Sequence, residues 1–210
     1  MRTAVFSALL ALPLLAAGPS EKPQVKFTTS LGSFTLQLEP KAAPKTVANF
    51  MKYVHKGFYK GTTFHRVIPT FMIQGGGFTA DMKKKAGDPP IANEGKEAMA
   101  AGLHNTRGTI AMARTNDPHS ASSQFFINVK DNSMSLDPKP DGWGYCVFGS
   151  VIEGMDTVDK IKAVPTHNVQ MNGDVPVTAV LITDAQEVNG VPVKKPSAKK
   201  ASPKATKKKR

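Results

Sequence analysis

The stretch YKGTTFHRVIPTFMIQGGGF, from Tyr59 to Phe78, carries the densest pattern in the chain. It contains two short runs of strand-forming composition, 63–68 (TFHRVI) and 71–74 (FMIQ), which are separated by a proline and followed by three glycines. β-Branched and aromatic residues bounded by proline and glycine are typical of short strands. The sequence therefore predicts two strands here, with an arginine, a histidine and a glutamine among their apolar residues.

Similar runs occur on both sides of this stretch. Upstream, apolar Phe34, Leu36 and Leu38 alternate with polar residues, and the turn at 30–32 makes 25–38 a predicted β-hairpin. Downstream, four more strand-like runs follow, at 108–114, 124–129, 144–152 and 177–188. Many short strands favour a closed barrel or a sandwich over alternating βαβ units, and closure also removes exposed strand edges.

Two segments have helical rather than strand periodicity. Between 44 and 54 the apolar residues recur at i, i+3, i+4 and i+7, as Val47, Phe50, Met51 and Val54. Pro44 suits the first helical turn, and Gly57 suits the position just past the end. Met155, Val158 and Ile161 predict a second helix over 154–162.

The charge is concentrated at one end of the chain. Among 210 residues, 28 Lys and Arg against 16 Asp and Glu give a formal net charge of +12. Nine of the basic residues and no acid lie within 194–210, whereas 25–193 holds 17 basic and 15 acidic residues, a net of +2. The body is therefore close to neutral, which argues against a globally basic nucleic-acid-binding domain.

Both ends differ in composition from the body. Arg2 precedes an uncharged apolar run from Ala4 to Ala17, and small residues follow, which is the layout of a secretory signal. The run is shorter than the ~20 residues needed to cross a bilayer. We predict a signal peptide cut near Ala17, a linker, one globular domain and a disordered lysine-rich tail, over 1–18, 19–24, 25–189 and 190–210 respectively.

These ends also predict location and partners. A signal peptide implies a periplasmic or secreted protein; the cytoplasm is the alternative if residues 1–18 are not a signal. A lysine-rich run binds polyanions without sequence preference, through counterion release. The tail could bind an anionic envelope surface, bind nucleic acid, or only keep the protein soluble. An exported protein meets envelope polymers rather than the genome, which favours the first of these.

The sequence lacks the motifs of disulfide, metal, hydrolase and phosphate-binding sites. The single cysteine, Cys146, excludes an internal disulfide and multi-cysteine metal sites, and its apolar neighbours predict burial. The five histidines show no H-x-x-x-H or H-E-x-x-H spacing, and no G-x-S-x-G occurs. The glycines at 75–77 lack a phosphate-loop pattern. We therefore expect no metal, no cofactor and no hydrolase chemistry.

The residues alone leave the role of the central stretch open. Aromatic and methionine side chains with a few polar donors suit a concave site for a small apolar group, and 122–127 (SSQFFI) adds a second apolar and aromatic run. Each part also has a purely structural interpretation. Phe71 and Phe125 could belong to the core, and Arg66 could form a surface salt bridge.

The run Y-x-x-T-x-F-H-R-V-I-x-x-F-M-x-Q-G, from Tyr59 to Gly75, resembles the signature of the cyclophilin family of peptidyl-prolyl cis-trans isomerases. The order continues with NTRGTIAMART (105–115), SQFFIN (123–128) and VFG (147–149), so that the similarity covers about 25–188. It is closest to the bacterial periplasmic branch. The resemblance implies a mainly β fold, a closed eight-stranded antiparallel β-barrel capped by two α-helices, and a chaperone-like enzyme of protein folding.

The resemblance also implies roles for individual residues. Arg66, Gln74 and Phe71 would be the catalytic residues. Arg66 would donate to the nitrogen of the twisted amide, and Gln74 would hold the substrate backbone near the rotating carbonyl, assisted by main-chain groups at Ala113 and Arg114. The proline ring would lie against apolar side chains, namely those of Phe71, Met72, Phe125 and Leu136.

Two further residues belong to the implied site. Tyr145 stands where many relatives carry a histidine against the pocket. His65 would support the site rather than act as a general base. The implied partners are proline-containing peptides and unfolded proteins, bound by a monomer. A proline-peptide binding module without catalysis is the alternative.

One position departs from the family pattern. Cyclosporin-sensitive relatives carry a tryptophan just before the Leu-Asp pair that matches Leu136 and Asp137. This chain has Met134 and Ser135 there, with an apparent one-residue insertion, and its single tryptophan, Trp143, lies elsewhere. The departure implies weak cyclosporin binding with intact turnover.

Overall fold

The computed structural model describes residues 22–140, 142–170 and 172–188. The predicted signal peptide (1–18) and tail (190–210) lie outside the described residues, as do residues 19–21 of the predicted linker and the last residue of the predicted domain. Within the described ranges, no helix is long and apolar enough to span a membrane.

Most of the described chain is β-structure. The strands are β1 (Gln24–Thr29), β2 (Gly32–Leu38), β3 (Thr62–Ile68), β4 (Met72–Thr79), β5 (Thr109–Met112), β6 (Phe125–Asn128), β7 (Val147–Glu153), β8 (Thr166–Val169), β9 (Asn172–Pro176) and β10 (Ile182–Glu187). Eight of them form one sheet in the order β10-β1-β2-β7-β5-β6-β4-β3, with every neighbouring pair antiparallel.

The two edge strands of this sheet meet and nearly close it. Thr63 forms an antiparallel bridge with Leu181, and the Phe64 amide donates to the Val180 carbonyl at 3.0 Å. Closure satisfies backbone groups that an open edge would expose. The predicted mainly β, eight-stranded antiparallel barrel is confirmed. The hairpin of β8 and β9, which lies against β3, was not predicted.

Helices cover the barrel at α1 (Pro44–His55) and α4 (Met155–Lys162), as predicted, and short helices α2 (Gly95–Ala100) and α3 (Ser133–Leu136) add to them. The predicted number of two was therefore too low, because helices of six and four residues are too short to show a periodicity. Pro44 begins α1, and Gly57 follows it at φ +62, the left-handed conformation that favours glycine.

Aromatic side chains fill the barrel. Eight of them are almost fully buried in one cluster: Phe27, Phe34, Phe50, Tyr53, Tyr59, Phe64, Phe125 and Phe148. Phe27 stacks on Phe34 with ring centroids 5.3 Å apart, and Phe50 contacts Phe148 at 5.0 Å. Cys146 is buried, as predicted, and burial raises the pKa of its thiol to about 11. The interior is thus a packed core, so any binding site lies on the outer face.

Candidate active site

One row of residues crosses the outer face of the barrel. In the strand register Arg66 of β3 lies opposite Gln74 of β4, Gln74 lies opposite Phe126 of β6, and Phe126 lies opposite Ala111 of β5. Residues directly opposite each other in neighbouring strands point to the same face of a sheet. The register therefore brings a guanidinium, an amide and an aromatic ring together, although their positions span 60 residues of sequence.

A cavity of about 100 Å³ with an apolar floor and polar groups at its edge opens beside this row. It is lined by Arg66, Phe71, Met72, Gln74, Ala113, Arg114, Phe126, Leu136 and Tyr145, and we call it the apolar cavity. Met72, Phe126 and Leu136 are buried and form its floor. A cavity of roughly 150 Å³ lined by apolar side chains holds benzene, so this one has room for a smaller ring.

Eight of the ten predicted site residues line the apolar cavity. Phe125 does not, and its prediction as a pocket residue is wrong. It lies opposite Gly75 and Met112 in the register and points into the barrel, where it contacts Tyr59 edge-on at 5.4 Å. Because side chains alternate along a strand, its neighbour Phe126 faces outward and lines the cavity instead.

A buried polar network supports the cavity from behind. The Asn132 side chain donates to the Phe71 carbonyl and to Asn128 Oδ1, both at 2.7 Å. Asn105 Nδ2 donates to Asp137 Oδ1 at 2.9 Å and to the Tyr145 carbonyl at 3.2 Å. Satisfied polar groups inside a protein make directional contacts that fix backbone positions. The network therefore holds the backbone of two cavity residues in place.

Tyr145 and Arg114 form the rim on one side. The Arg114 guanidinium carbon lies 4.4 Å from the centre of the Tyr145 ring, and its Nε donates to the Gly144 carbonyl at 3.0 Å. Tyr145 in turn contacts Phe126 edge-on, with centroids 5.6 Å apart. Cation–π and edge-to-face contacts of this kind hold the rings in a fixed orientation. The contacts among Arg114, Tyr145 and Phe126 therefore define the geometry of this rim.

Arg66 and Gln74 form the polar side. Arg66 is about half-exposed, and its Nε lies 3.7 Å from Asp174 Oδ2 on β9. Gln74 Nε2 donates to Gln124 Oε1 at 3.0 Å. Among the residues that the structure describes, these contacts leave the remaining guanidinium nitrogens of Arg66, and the carbonyl oxygen of Gln74, for a ligand at the mouth of the apolar cavity. Sequence reasoning missed Asp174, because nothing local links it to Arg66.

The glycines after Gln74 serve packing. Gly76 has φ +80, and a Cβ there would lie 2.8 Å from the Tyr59 ring and 2.9 Å from the Phe125 ring. A Cβ on Gly77 would lie 2.4 Å from Cγ of Gln124, the residue that positions Gln74. Only glycine fits these approaches without displacing the neighbouring side chains.

His65 lies apart from the apolar cavity. Its side chain is buried, its ring centre is 4.5 Å from that of Phe78, and its Nδ1 has no hydrogen-bond partner among the described residues. Burial lowers the pKa of the imidazole to about 4, so the ring is neutral at pH 7. It borders a separate polar cavity together with Arg66 and Asp174. A supporting position is therefore compatible with the geometry, whereas contact with the apolar cavity is not.

Within residues 22–140, 142–170 and 172–188, no three His, Cys, Asp or Glu side chains gather in a way that could hold a metal ion.

The chain is similar in sequence and in fold to known proteins. Residues 24–187 match the family model of the cyclophilin-type peptidyl-prolyl cis-trans isomerases. The peptidyl-prolyl cis-trans isomerase cyp18 of Streptomyces antibioticus is 54% identical over 164 residues, which cover 77% of this chain and 96% of that protein. Isomerase B of Escherichia coli is 52% identical over 160 residues, covering 75% and 95%. A Cryptosporidium parvum cyclophilin-type isomerase, crystallised in the presence of the dipeptide Ala-Pro, superimposes with TM-score 0.66 at 25% identity, covering 80% of this chain and 99% of that one.

Proposed function

The chain belongs to the cyclophilin-type peptidyl-prolyl cis-trans isomerases, and from this premise we propose that Arg66 accelerates X–Pro rotation by stabilising the twisted amide. The observation that carries the proposal is the row Arg66–Gln74–Phe126 at the mouth of the apolar cavity. The row places a cation and an amide beside an apolar surface large enough for a proline ring. One X–Pro unit could therefore contact all three.

The reaction needs no covalent step. Amide resonance gives a barrier of ~18–20 kcal/mol, so that spontaneous X–Pro exchange takes tens to hundreds of seconds. When the bond twists, the nitrogen loses conjugation and its lone pair becomes basic. A donor aimed at that lone pair acts only in the transition state, which is what lowers a barrier. Arg66 is suited to this because a guanidinium keeps its charge and has a rigid set of donors.

The other residues hold the substrate while the bond turns. The proline ring would enter the apolar cavity and contact Phe71, Met72 and Phe126. Gln74 would bind the backbone at the residue before proline, and the main chain at Ala113 would assist. Because the ring is held on one side and the backbone on the other, rotation is confined to the bond between them.

Substitution of Arg66 tests this proposal. We expect Arg66→Ala to lower kcat/KM for an X–Pro peptide by about 10²–10³-fold, as the loss of one oxyanion donor does in other enzymes. Exchange measured by NMR on a peptide such as Ala-Ala-Pro-Phe gives the rate directly. Arg66→Lys keeps the positive charge but loses the rigid set of guanidinium donors. We expect its rate to lie between those of Arg66→Ala and the wild type. Full turnover by Arg66→Ala would overturn the proposal.

The same measurement separates an enzyme from a binding module. A protein that bound proline peptides without catalysis would broaden or shift the peptide resonances without increasing the exchange rate between cis and trans forms. The retained cation beside the cavity is what supports turnover.

We also propose export and a polyanion-binding role for the tail, on the sequence features of 1–18 and 190–210. Fractionation of cells expressing the protein with and without residues 1–18 tests export; full-length protein remaining in the cytoplasm would contradict it. Binding to anionic vesicles, with and without 194–210, tests the tail. Salt-sensitive binding that survives the deletion would assign it to the barrel instead.

A further inference from the structure

A second cavity adjoins the apolar cavity. It has a volume of about 210 Å³ and shares Gln74, Ala113 and Arg114 with the apolar cavity. Its remaining lining combines two lysines with a glycine, four hydroxyl-bearing residues and a glutamine: Lys84, Lys85, Gly87, Thr115, Ser120, Ser122, Ser123 and Gln124. We call it the basic cavity, because its lining contains cations and no acid.

The cations of the basic cavity have neutral partners. Lys85 Nζ donates to the Phe58 carbonyl and lies 4.5 Å from the centre of the Phe58 ring. Arg114 donates to the carbonyls of Gly144 and Thr115. Carbonyls and rings orient a cation but do not cancel its charge. Two full positive charges therefore remain beside the cavity.

The acids on the adjoining segment already have partners. Asp88 pairs with both Lys52, at 2.8 Å, and Lys56, at 2.9 Å. Asp81 pairs with Lys83 at 2.8 Å. These two carboxylates thus meet three lysines, and neither reduces the charge at the cavity.

Further lysines on this side lack an acidic partner. Among the described residues, no acid forms an ion pair with Lys60, Lys84 or Lys85. Asp117 follows the rim residue Thr115, but it does not line the cavity, and its Oδ1 accepts the His119 amide at 2.8 Å. The positive potential is therefore local, in a body whose net charge over 25–193 is only +2.

From this arrangement we propose that the basic cavity selects substrates with an acidic side chain on the amino-terminal side of proline. The inference rests on the proposed function, in which Gln74 holds the backbone just before the proline. Gln74 lines both cavities, so the chain preceding proline passes it into the basic cavity. Consecutive Cα atoms are 3.8 Å apart, so the residue before proline, or the one before that, reaches the cations. Complementary charge there favours carboxylates over amides and disfavours lysine.

Matched peptides test the inference. Two series place Glu, Gln or Lys either directly before proline or one residue earlier, and NMR exchange at low ionic strength gives kcat/KM for each. We expect the Glu peptide of one series to exceed its Gln counterpart by about fivefold and its Lys counterpart by more, with the difference shrinking at 1 M salt. Equal rates for Glu, Gln and Lys peptides in both series would overturn the inference.

Charge variants locate the effect. Lys84 is exposed, so we expect Lys84→Gln to fold normally, to reduce the preference for Glu and to leave the Ala-Ala-Pro rate unchanged. The double variant with Lys85→Gln should reduce the preference further, to what Arg114 alone provides, and its melting temperature shows whether the contact with Phe58 mattered for folding. Lys26→Gln is the matched control. Lys26 is also exposed, but it lies on β1, which pairs only with β2 and β10, and none of these three strands lines the basic cavity.

The outcomes remain distinct from those of the proposed function. If Lys26→Gln reduced the preference as much as Lys84→Gln, the cause would be overall charge, and the basic cavity would not be the selecting site. If the preference of the double variant equalled that of the wild type, the inference would likewise be wrong. Full turnover of Ala-Ala-Pro peptides by Arg66→Ala, in contrast, would overturn the proposed function. The charge preference would then be tested by peptide affinity, and equal affinities for Glu, Gln and Lys peptides would overturn it.

Discussion

Arg66 Nε lies 3.7 Å from Asp174 Oδ2, across the contact between β3 and the hairpin of β8 and β9. Both side chains are half-exposed, so the pair contributes little to stability, within about 1 kcal/mol. Its consequence is geometric: a long, flexible arginine side chain is held at the mouth of the apolar cavity. We therefore propose that Asp174 positions Arg66.

We expect Asp174→Asn to lower kcat/KM about threefold with an unchanged melting temperature. Asn suits the site because Asp174 has φ +59, a conformation that Asn tolerates better than other residues. Measuring kcat/KM of both proteins from 10 mM to 1 M salt checks the cause. Salt screens the attraction between Arg66 and Asp174, so the kcat/KM of the wild type should fall to that of the variant. A rise in kcat/KM would show instead that the carboxylate weakens the cation, and would contradict a positioning role.

The neighbours Phe125 and Phe126 should respond oppositely to the same change. We expect Phe125→Leu to lower the free energy of unfolding by roughly 1–2 kcal/mol, with kcat/KM of the folded protein unchanged, because its ring belongs to the barrel core. We expect Phe126→Leu to reduce kcat/KM several-fold, because its ring lines the apolar cavity. Thermal melts and peptide exchange on both variants provide the measurements. Identical profiles would contradict the opposite facing of the two rings.

The contrast between these two rings also shows where sequence reasoning stops. All four residues of β6 are buried, so its apolar pattern does not alternate and cannot show which side faces a site. Elsewhere the pattern was sufficient. β1, β2 and α1 were predicted closely, because apolar residues alternate with polar ones along β2 and recur at helical spacing in α1, and because Pro44 and Gly57 mark the helix ends.

The unpredicted parts depend on contacts distant in sequence. β8 and β9 are mostly half-buried or exposed, and β9 lies against β3, which is about 100 residues earlier in the chain. Asp174 owes its role to that packing, and no local signal identifies it. Motif resemblance named eight residues of the apolar cavity, whereas residue patterns alone had left a core and a pocket as alternatives.

Burial of His65 predicts a pH dependence of stability. Burial lowers the pKa of the folded imidazole to about 4, whereas the unfolded chain titrates near 6.5. Between these values the unfolded state binds more protons, so stability rises with pH; the contribution is complete above pH 6.5 and is lost as pH falls towards 4. The loss amounts to about 3 kcal/mol at 1.36 kcal/mol per pKa unit.

His65→Gln removes this titration and isolates the effect. We expect denaturant unfolding of wild type to weaken more steeply than that of His65→Gln between pH 6.5 and pH 4. Comparing the two proteins cancels the carboxylates common to both. Parallel curves would mean that the ring is protonated in the folded state, contrary to its burial.

The surroundings of Trp143 bear on inhibition by cyclosporin. Its ring meets His119 edge-on at 4.7 Å and lies 5.0 Å from Lys96 Nζ, and it does not line the apolar cavity. Met134 and Ser135, which occupy the place of the tryptophan in sensitive relatives, are exposed. The indole that would contact the drug at the rim beside Leu136 is thus missing, while Arg66 and Gln74, which we propose act on the amide, are present.

We therefore expect normal turnover with weak inhibition, at micromolar cyclosporin or above. Ser135→Trp places an indole just before Leu136 and should lower the inhibition constant at least tenfold without changing kcat/KM, since the ring adds apolar area against the drug and not against the twisting bond. Trp143→Phe is the matched control and should leave inhibition unchanged. A nanomolar inhibition constant for the wild type, measured in the peptide exchange assay, would show that the drug binds without that indole.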